Sequence, residues 1–284
     1  MTTDVLRYRL LNVFAVPDDP FSGNPLCVFE DGAGLSDEQM QGLARQFNLS
    51  ETTFLVGAER GADCGVRIFT PSYEMSFAGH PTLGSAAVAQ DLGFGDDEVR
   101  LSMPAGVIPV AASGDQWTLT ANAAQVGPEY ATADIAAAVG LTEDDLVGPV
   151  QQVSTGSAQV IARARSVDAV RRAVGDTALM RRYAGMGTRG GETLVYLWCE
   201  TGDGTMEARA LFTQGAAAIE DPATGSACSN LGGWLAAQGR SGEWVVHQGA
   251  LVGRPSQLRL SVSADGVVRV GGLVRPLGTG EVRL

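Results

Sequence analysis

Short segments of this chain alternate apolar and polar residues, which is the pattern of β-strands with one buried face. Residues 65–69 (GVRIF) and 206–212 (MEARALF) are two such segments. Further strands are predicted at residues 8–16, 26–29, 52–56, 99–102, 108–112, 160–164, 193–199, 258–262 and 267–270. The pattern therefore predicts a fold that is rich in β-sheet.

Two other segments are compatible with helices that have no polar face. Residues 85–89 and 227–237 are small or apolar and nearly uncharged, and a helix that is apolar on every side is a buried one. Each segment follows one of the two alternating runs described above. We therefore predict two sheets, each wrapped around one central helix.

Outer helices are predicted as well. Residues 36–47 begin with Ser36 and Gln39, which are spaced as a capping box. One apolar face of this helix consists of Leu35, Met40, Leu43, Ala44 and Phe47. Residues 133–139 and 167–183 are expected to add helices in the second half of the chain.

An internal repeat relates the two halves of the chain. The segment HPTLGSA at residues 80–86 recurs as DPATGSA at residues 221–227, about half a chain later. An ordered repeat at this distance predicts two similar structural halves. We place the boundary at the Gly127–Pro128 turn, which gives residues 1–127 and 128–284.

The repeat places a proline, a glycine and a serine at the predicted start of each central helix. The proline fits the first helical turn, where its missing N–H group is not needed. A helix N-terminus offers unpaired N–H groups and a positive dipole end, which bind anions. Gly84 and Ser85 in one half, and Gly225 and Ser226 in the other, are therefore candidate ligand-binding residues. Close helix packing is the alternative explanation, and the duplication favours ligand binding.

The formal net charge of −12, with no cluster of basic residues, argues against nucleic-acid binding. A carboxylate substrate would have to be held by local N–H and O–H donors. The first residues contain no apolar h-region, and no apolar run reaches the roughly 18 residues of a membrane helix. We expect a cytoplasmic protein that does not bind membranes.

The four cysteines are Cys27, Cys64, Cys199 and Cys228. They form no C-x-x-C pair, and only two histidines are available to join them in a metal site. No zinc site is therefore predicted. We expect these thiols to be buried and reduced.

Two unlike titratable residues precede the repeated prolines, His80 in one half and Asp221 in the other. Acid/base catalysis needs groups that differ in proton affinity. Asp221 also suits a structural role as an N-cap, whereas nothing structural explains His80. Glu51, between the outer helix and the next strand, reads on its own as a solvated loop carboxylate.

Six motifs are spread over nearly the whole chain: SGNP at residues 22–25, LSET at 49–52, FTP with Glu74 at 69–74, FAGHPT at 77–82, EDPATGSA at 220–227 and GRPS at 253–256. Together they resemble the PhzF-like family of phenazine-biosynthesis proteins. The resemblance implies an α+β fold of the diaminopimelate-epimerase type. In that fold each of two similar halves is a curved, mainly antiparallel sheet around a central helix, with the active site between the halves. The resemblance also implies a homodimer.

The family resemblance further implies an isomerase without metal or organic cofactor. It would shift a proton and a double bond in a small unsaturated cyclic amino or hydroxy carboxylic acid, of which a dihydro-hydroxyanthranilate is the type. Glu51 matches the family's proton-shuttling carboxylate, and His80 and Asp221 match its assisting acid/base residues. The predicted substrate-binding residues are Asn24, Ser50, Gly79, Gly84, Ser85, Gly225 and Ser226.

Related epimerases and racemases carry two cysteines at their helix starts. This chain has Gly79-His80 and Gly225-Ser226 instead, and Cys228 is placed inside the predicted helix. A mechanism that uses two thiols is therefore disfavoured.

Two departures from the family pattern leave the substrate open. Gln214 stands where proline is frequent, and Ser229-Asn230 replaces a Gly-Pro pair. Two other functions also stay open at this point. One is an amino-acid epimerase or racemase with carboxylates in place of thiols, and the other is a non-catalytic ligand-binding relative.

Overall fold

The chain divides into two compact units in the computed structural model, which describes residues 5–185 and 193–284. One unit, the N-terminal unit, contains Met1–Leu119 together with Gly271–Leu284. The other, the C-terminal unit, contains Thr120–Val270.

The N-terminal unit is a mainly antiparallel sheet with two helices. Its elements are β1 (Val5–Ala15), β2 (Asn24–Phe29), α1 (Asp37–Phe47), β3 (Thr52–Val56), β4 (Cys64–Phe69), β5 (Glu74–Met75), α2 (Gly79–Asp91), β6 (Glu98–Met103), β7 (Gly106–Ser113), β8 (Gln116–Thr120) and the end of β17 (Val268–Arg283). The pairs β1–β2, β3–β4, β6–β7 and β7–β8 are antiparallel, whereas β2–β3 and β4–β6 are parallel.

The C-terminal unit repeats this order of pairings. Its elements are β9 (Gln125–Glu129), α3 (Thr132–Ala138), β10 (Gln151–Ser154), β11 (Ala158–Arg163), α4 (Val167–Arg172), α5 (Thr177–Ala184), β12 (Leu194–Gly202), β13 (Thr205–Gln214), β14 (Ala217–Asp221), α6 (Gly225–Ala237), β15 (Gly242–Gln248), β16 (Ser256–Val262) and the start of β17. Antiparallel β10–β11, β12–β13 and β15–β16 correspond to pairs in the first unit, as do parallel β11–β12 and β13–β15. The predicted similarity of the two halves is confirmed.

The boundary between the units lies between Leu119 and Thr120. It was expected at Gly127–Pro128, but those residues lie inside β9. The last strand, β17, also returns to the N-terminal unit, where Leu6 pairs with Val282 and Arg9 with Thr279. Pairing between the two ends of a chain leaves no mark on the local sequence pattern, so the single predicted boundary missed it.

Each unit has one central helix of 13 residues, as the apolar segments predicted. Helix α2 packs against β1, β2, β3, β4, β6 and β7, and α6 packs against β9, β10, β11 and β16. Burial on every side explains why neither helix has a polar face. In the described part of the chain, no helix has both the length and the apolar character required to cross a membrane.

The outer helix α1 forms as predicted. Ser36 is its N-cap: its Oγ accepts a hydrogen bond from Gln39 N at 3.2 Å, and Gln39 Oε1 accepts one from Ser36 N at 2.9 Å. The face formed by Met40, Leu43 and Ala44 is buried. The capping box and the apolar face therefore explain this helix completely.

The helix predicted over residues 167–183 is in fact two helices, α4 and α5. Asp176 caps the second one by accepting a hydrogen bond from Leu179 N at 2.9 Å. The end of the first one is held by Arg209, whose Nη1 donates to the carbonyls of Val170 and Ala173 at 3.0 and 2.7 Å. A cap and a distant arginine break a segment whose composition alone favours one helix.

The two central helices begin at different points of the sequence repeat. Helix α2 begins at Gly79, so Gly84 and Ser85 lie in its second turn, whereas α6 begins at Gly225. The prediction that Gly84-Ser85 stands at a helix start is wrong. The positions that match as helix starts are Gly79-His80 and Gly225-Ser226.

Gly84 and Ser85 hold α2 against its sheet. A Cβ atom on Gly84 would overlap Leu26 Cδ2 and come within 3.0 Å of Val13 Cγ2. Ser85, which has no exposed surface, donates from Oγ to Thr53 Oγ1 at 2.9 Å. Close packing therefore accounts for both residues.

We expect Gly84→Ala to destabilise the protein by about 1–3 kcal/mol through overpacking, as measured by urea unfolding. Gly42→Ala is the matched control, because Gly42 lies in α1 with nothing within 4 Å of the added methyl group. It should be neutral or stabilising by up to about 1 kcal/mol through helix propensity. Unchanged stability with weakened ligand binding in Gly84→Ala would instead favour the ligand-binding role.

Candidate functional site

Asn24 follows a loop between β1 and β2 that a hydrogen bond and a close backbone approach define. Ser22 Oγ accepts a hydrogen bond from Val16 N at 2.8 Å. Gly23 adopts φ +79°, and a Cβ atom there would stand 2.7 Å from the Val13 carbonyl oxygen. Glycine is required at this point because both the left-handed conformation and the close approach exclude a side chain. The loop leaves Asn24 fully buried at the start of β2.

Glu51 is fixed between the end of α1 and the start of β3. The C-cap Asn48 takes φ 53° and donates its N–H group to Ala44 O, which ends the helix. Thr52 then pairs with Cys27 of the parallel strand β2. The Glu51 side chain is held just before this buried pair and is only 16% exposed, so it is not the solvated loop acid that its local sequence suggests.

The structure brings Glu51 and His80 together. Glu51 Oε2 lies 3.5 Å from His80 Nε2, and the imidazole is 5% exposed. On the other edge of the ring, His80 Nδ1 lies 3.4 Å from Asn24 Nδ2. His80 also has a hydrogen bond with the backbone of Pro25, which can only accept. Three predicted site residues, Asn24, Glu51 and His80, therefore form one buried cluster in the N-terminal unit.

Burial lowers the pKa of His80 from its ordinary value near 6.5 to about 3, because a charged imidazole loses its hydration in the core. The hydrogen bond to the Pro25 backbone acts in the opposite sense, but burial outweighs it. His80 is therefore neutral at pH 7. A neutral imidazole donates from one nitrogen and accepts at the other, and it can relay a proton to or from Glu51.

Asp221 is the last residue of β14 and not a helix cap, since Thr224 is the N-cap of α6. Asp221 Oδ2 accepts a hydrogen bond from Thr224 Oγ1 at 2.6 Å. Gln248 Nε2 donates to Thr224 Oγ1 at 3.1 Å and to Asp221 O at 2.9 Å, and Gln248 Oε1 accepts from Tyr196 OH at 3.0 Å. Because Gln248 occupies the acceptor side of the Thr224 hydroxyl, the hydroxyl proton is directed to Asp221.

Tyr196 and Gln248 were missed as site residues by the sequence analysis. Gln248 precedes Gly249, which has a φ of +79° and where a Cβ atom would overlap the carbonyl oxygens of Pro222 and Arg254. The signal in the sequence was a polar residue before a glycine, close to the GRPS motif. Its meaning depends on contact with Asp221, which lies 27 residues earlier.

The start of α6 carries Gly225, which is buried, and Ser226, which is half-buried. Ser226 Oγ accepts a hydrogen bond from Gln159 Nε2 at 3.0 Å. The N–H groups of this first helical turn have no partner within the helix. Asp221, Gly225 and Ser226 therefore lie together in the C-terminal unit.

Three further positions that the sequence singled out differ in their exposure to solvent. Ser50 is exposed beside Glu51, and Gly79 is buried as the first residue of α2. Gln214 is exposed at the end of β13. Since Gln214 is paired there with Ala217, its exposure follows from its place at the turn between β13 and β14.

The cysteines are buried, as predicted. Cys228 lies inside α6 with no exposed surface, and burial raises the pKa of its thiol well above the ordinary value. Such a thiol is a poor proton acceptor at neutral pH. Across residues 5–185 and 193–284, no three His, Cys, Asp or Glu side chains are grouped so as to hold a metal ion.

Comparisons with known proteins find one family along nearly the whole chain. A family model of phenazine biosynthesis-like proteins, PhzC-PhzF, matches residues 11–273. An uncharacterized isomerase of Pasteurella multocida is 35% identical, with 97% of this chain and 93% of that protein covered. A trans-2,3-dihydro-3-hydroxyanthranilate isomerase of Pseudomonas aeruginosa is 32% identical, with 89% of this chain and 88% of that protein covered.

A solved structure has the same fold. It is titled as a predicted epimerase from Pseudomonas aeruginosa and superposes with a TM-score of 0.83 at 32% identity. The match covers 98% of this chain and 99% of that one. The predicted α+β fold, with two similar halves built around central helices, is therefore confirmed.

Proposed function

Because the chain belongs to the PhzC-PhzF family of phenazine biosynthesis-like proteins and is an isomerase, we propose that it moves a proton within a small unsaturated cyclic amino or hydroxy carboxylic acid. A dihydro-hydroxyanthranilate is the first substrate to test, since that is the compound named for a relative that matches most of this chain. The observation that carries the proposal is the buried pair of Glu51 and His80, 3.5 Å apart.

Glu51 is the proton carrier in this proposal. Its carboxylate takes a proton from an activated ring carbon, and the electron pair of the broken C–H bond enters the conjugated system. The protonated carboxyl group exchanges its proton with solvent and then returns a proton to another carbon, so that a double bond moves and no atom is gained or lost. General acid/base catalysis of this kind contributes about 10²- to 10⁴-fold in rate.

His80 and Asp221 assist the transfer. Neutral His80 relays a proton beside Glu51, because it can take one up at one ring nitrogen while it releases another from the second, and it keeps the carboxyl group oriented. Asp221 acts as a second acid or base whose orientation is set by Thr224 at 2.6 Å. Two carboxyl groups in different surroundings are an arrangement that acid/base chemistry uses.

The start of α6 binds the substrate carboxylate in this proposal. Gly225 and Ser226 offer backbone N–H groups and a hydroxyl at the positive end of the helix dipole. Asn24, Ser50 and Gly79 are the further substrate contacts that we retain. Hydrogen-bond donors of this kind suit a protein with a net charge of −12, because they attract an anion locally.

The chemistry proposed here uses no cofactor. All 20 basic residues of the sequence are arginines, so no lysine amine is available to form a Schiff base with a carbonyl cofactor. A thiol mechanism is also disfavoured, because Cys228 is buried with a raised pKa. Carboxyl and imidazole groups are therefore the proposed proton carriers.

We expect purified protein in D₂O to change the ultraviolet spectrum of trans-2,3-dihydro-3-hydroxyanthranilate and to place one deuterium on a ring carbon, as read by NMR. An amino-acid epimerase would instead label and invert an α-carbon with no spectral change. Exchange at the α-carbon of amino acids, without any effect on unsaturated cyclic acids, would overturn the proposal.

A further inference from the structure

A buried chain of two side-chain amides lies behind the start of α6. Asn230, which has no exposed surface, accepts at Oδ1 from Thr155 N and Thr155 Oγ1 at 2.7 and 2.8 Å. Its Nδ2 donates to Ser157 O and to Gln159 Oε1, both at 2.8 Å. Gln159 Nε2 then donates to Ser226 Oγ at 3.0 Å.

The partners determine which way both amides face. The backbone N–H group of Thr155 can only donate, so the Asn230 atom facing it must be the oxygen. The NH₂ group of Asn230 therefore points to Gln159 and meets its oxygen. This leaves the NH₂ group of Gln159 facing Ser226, and the order of donors is fixed from one backbone N–H group outward.

The Ser226 hydroxyl is consequently an acceptor toward Gln159. Its single proton must point elsewhere, and no described residue accepts it. Ser229, one turn later in the same helix, shows the contrasting case, because its Oγ donates back to the Gly225 carbonyl at 3.0 Å. Ser226 thus keeps its proton available for a ligand at the helix start.

We propose that Gln159, oriented by Asn230, is a positioning residue that makes Ser226 a dedicated hydrogen-bond donor and so selects ligands with a carboxylate over uncharged analogues. The inference rests on the proposed function, in which the start of α6 binds the substrate carboxylate. It also gives a role to the buried side-chain amide of Asn230.

The test compares Gln159→Glu with Gln159→Met. The carboxylate introduced by the first substitution accepts from Asn230 with one oxygen and takes the Ser226 proton with the other, whereas methionine has similar length and cannot capture that proton strongly. Anthranilate is the probe, titrated by its fluorescence at pH 8, and 2-aminobenzamide is the uncharged comparison. We expect Gln159→Glu to weaken anthranilate binding about 10- to 100-fold, the equivalent of one charge-assisted hydrogen bond.

Gln159→Met should weaken anthranilate binding only a few-fold. For each variant, the change in 2-aminobenzamide binding should be smaller than the change in anthranilate binding. Equal losses for Gln159→Glu and Gln159→Met would overturn the inference in favour of packing alone. Thermal unfolding shows whether the Gln159→Glu and Gln159→Met variants are folded. If Gln159→Glu does not fold, Asn230→Asp applies the same test, because an aspartate turns the Gln159 amide round and presents its oxygen to Ser226.

A double-mutant cycle with Ser226→Ala distinguishes the loss of the Ser226 proton from direct repulsion between the new carboxylate and anthranilate. In the Ser226→Ala background, Gln159→Glu should have little further effect, whereas repulsion would persist there and contradict the inference. Anthranilate binding without turnover of any substrate would reject the proposed function and still decide the role of Gln159. Wild-type protein that fails to bind anthranilate at millimolar concentration would overturn both.

Discussion

Replacement of Glu51 by glutamine should lower the turnover number at least 10²- to 10⁴-fold, because an amide cannot accept a proton at neutral pH. The substitution keeps the size of the side chain and its place between α1 and β3. It also removes a charge from a site where the carboxyl group is only 16% exposed. We therefore expect stability to be unchanged or slightly increased, and the affinity for anthranilate to be nearly unchanged.

Glu59→Gln is the matched control. Glu59 lies in the same unit on an exposed loop, so the same chemical change should leave turnover and stability as they are. Steady-state kinetics, anthranilate titration and urea unfolding of both variants separate catalysis from binding and folding. A fully active Glu51→Gln protein would contradict the proposed role, and loss of anthranilate binding would place Glu51 among the binding residues.

The sequence predicted the helices whose capping and burial depend on residues within one segment. The capping box of Ser36 and Gln39 and the apolar face of α1 are present as expected. The uncharged segments did become buried central helices. The error was in the phase of the repeat, because the run AAIED at residues 217–221 has no clear alternation and gives no warning that β14 continues to Asp221.

The sequence could not predict the positions that depend on distant contacts. Glu51 was singled out only by family resemblance, since its burial results from the meeting of α1, β2 and β3. Gln159 contacts Ser226 across 67 residues, and Tyr196 contacts Gln248 across 52. A hydrogen bond between distant residues has no period in the sequence, so these partners become visible only in three dimensions.

His80 should make the protein less stable in mild acid. Its folded-state pKa lies below the unfolded value near 6.5. Between about pH 6.5 and pH 3, His80 therefore binds a proton in the unfolded chain but not in the folded chain. Stability therefore falls as the pH drops through this window. At pH 4.5 the contribution is about 2–3 kcal/mol, which corresponds to two pKa units.

The comparison that isolates this effect is urea unfolding of wild type and His80→Gln at pH 7.0 and pH 4.5. Carboxyl groups elsewhere titrate in both proteins, so the wild type should lose about 2–3 kcal/mol more than the variant. An equal loss would mean that the Glu51 carboxylate, 3.5 Å away, offsets the effect of burial and restores an ordinary histidine pKa. His80 would then be able to carry a charge near neutral pH, and the pH dependence of kcat should show a group that titrates near pH 6.5. A neutral His80 predicts no such group, because its folded-state pKa lies near 3.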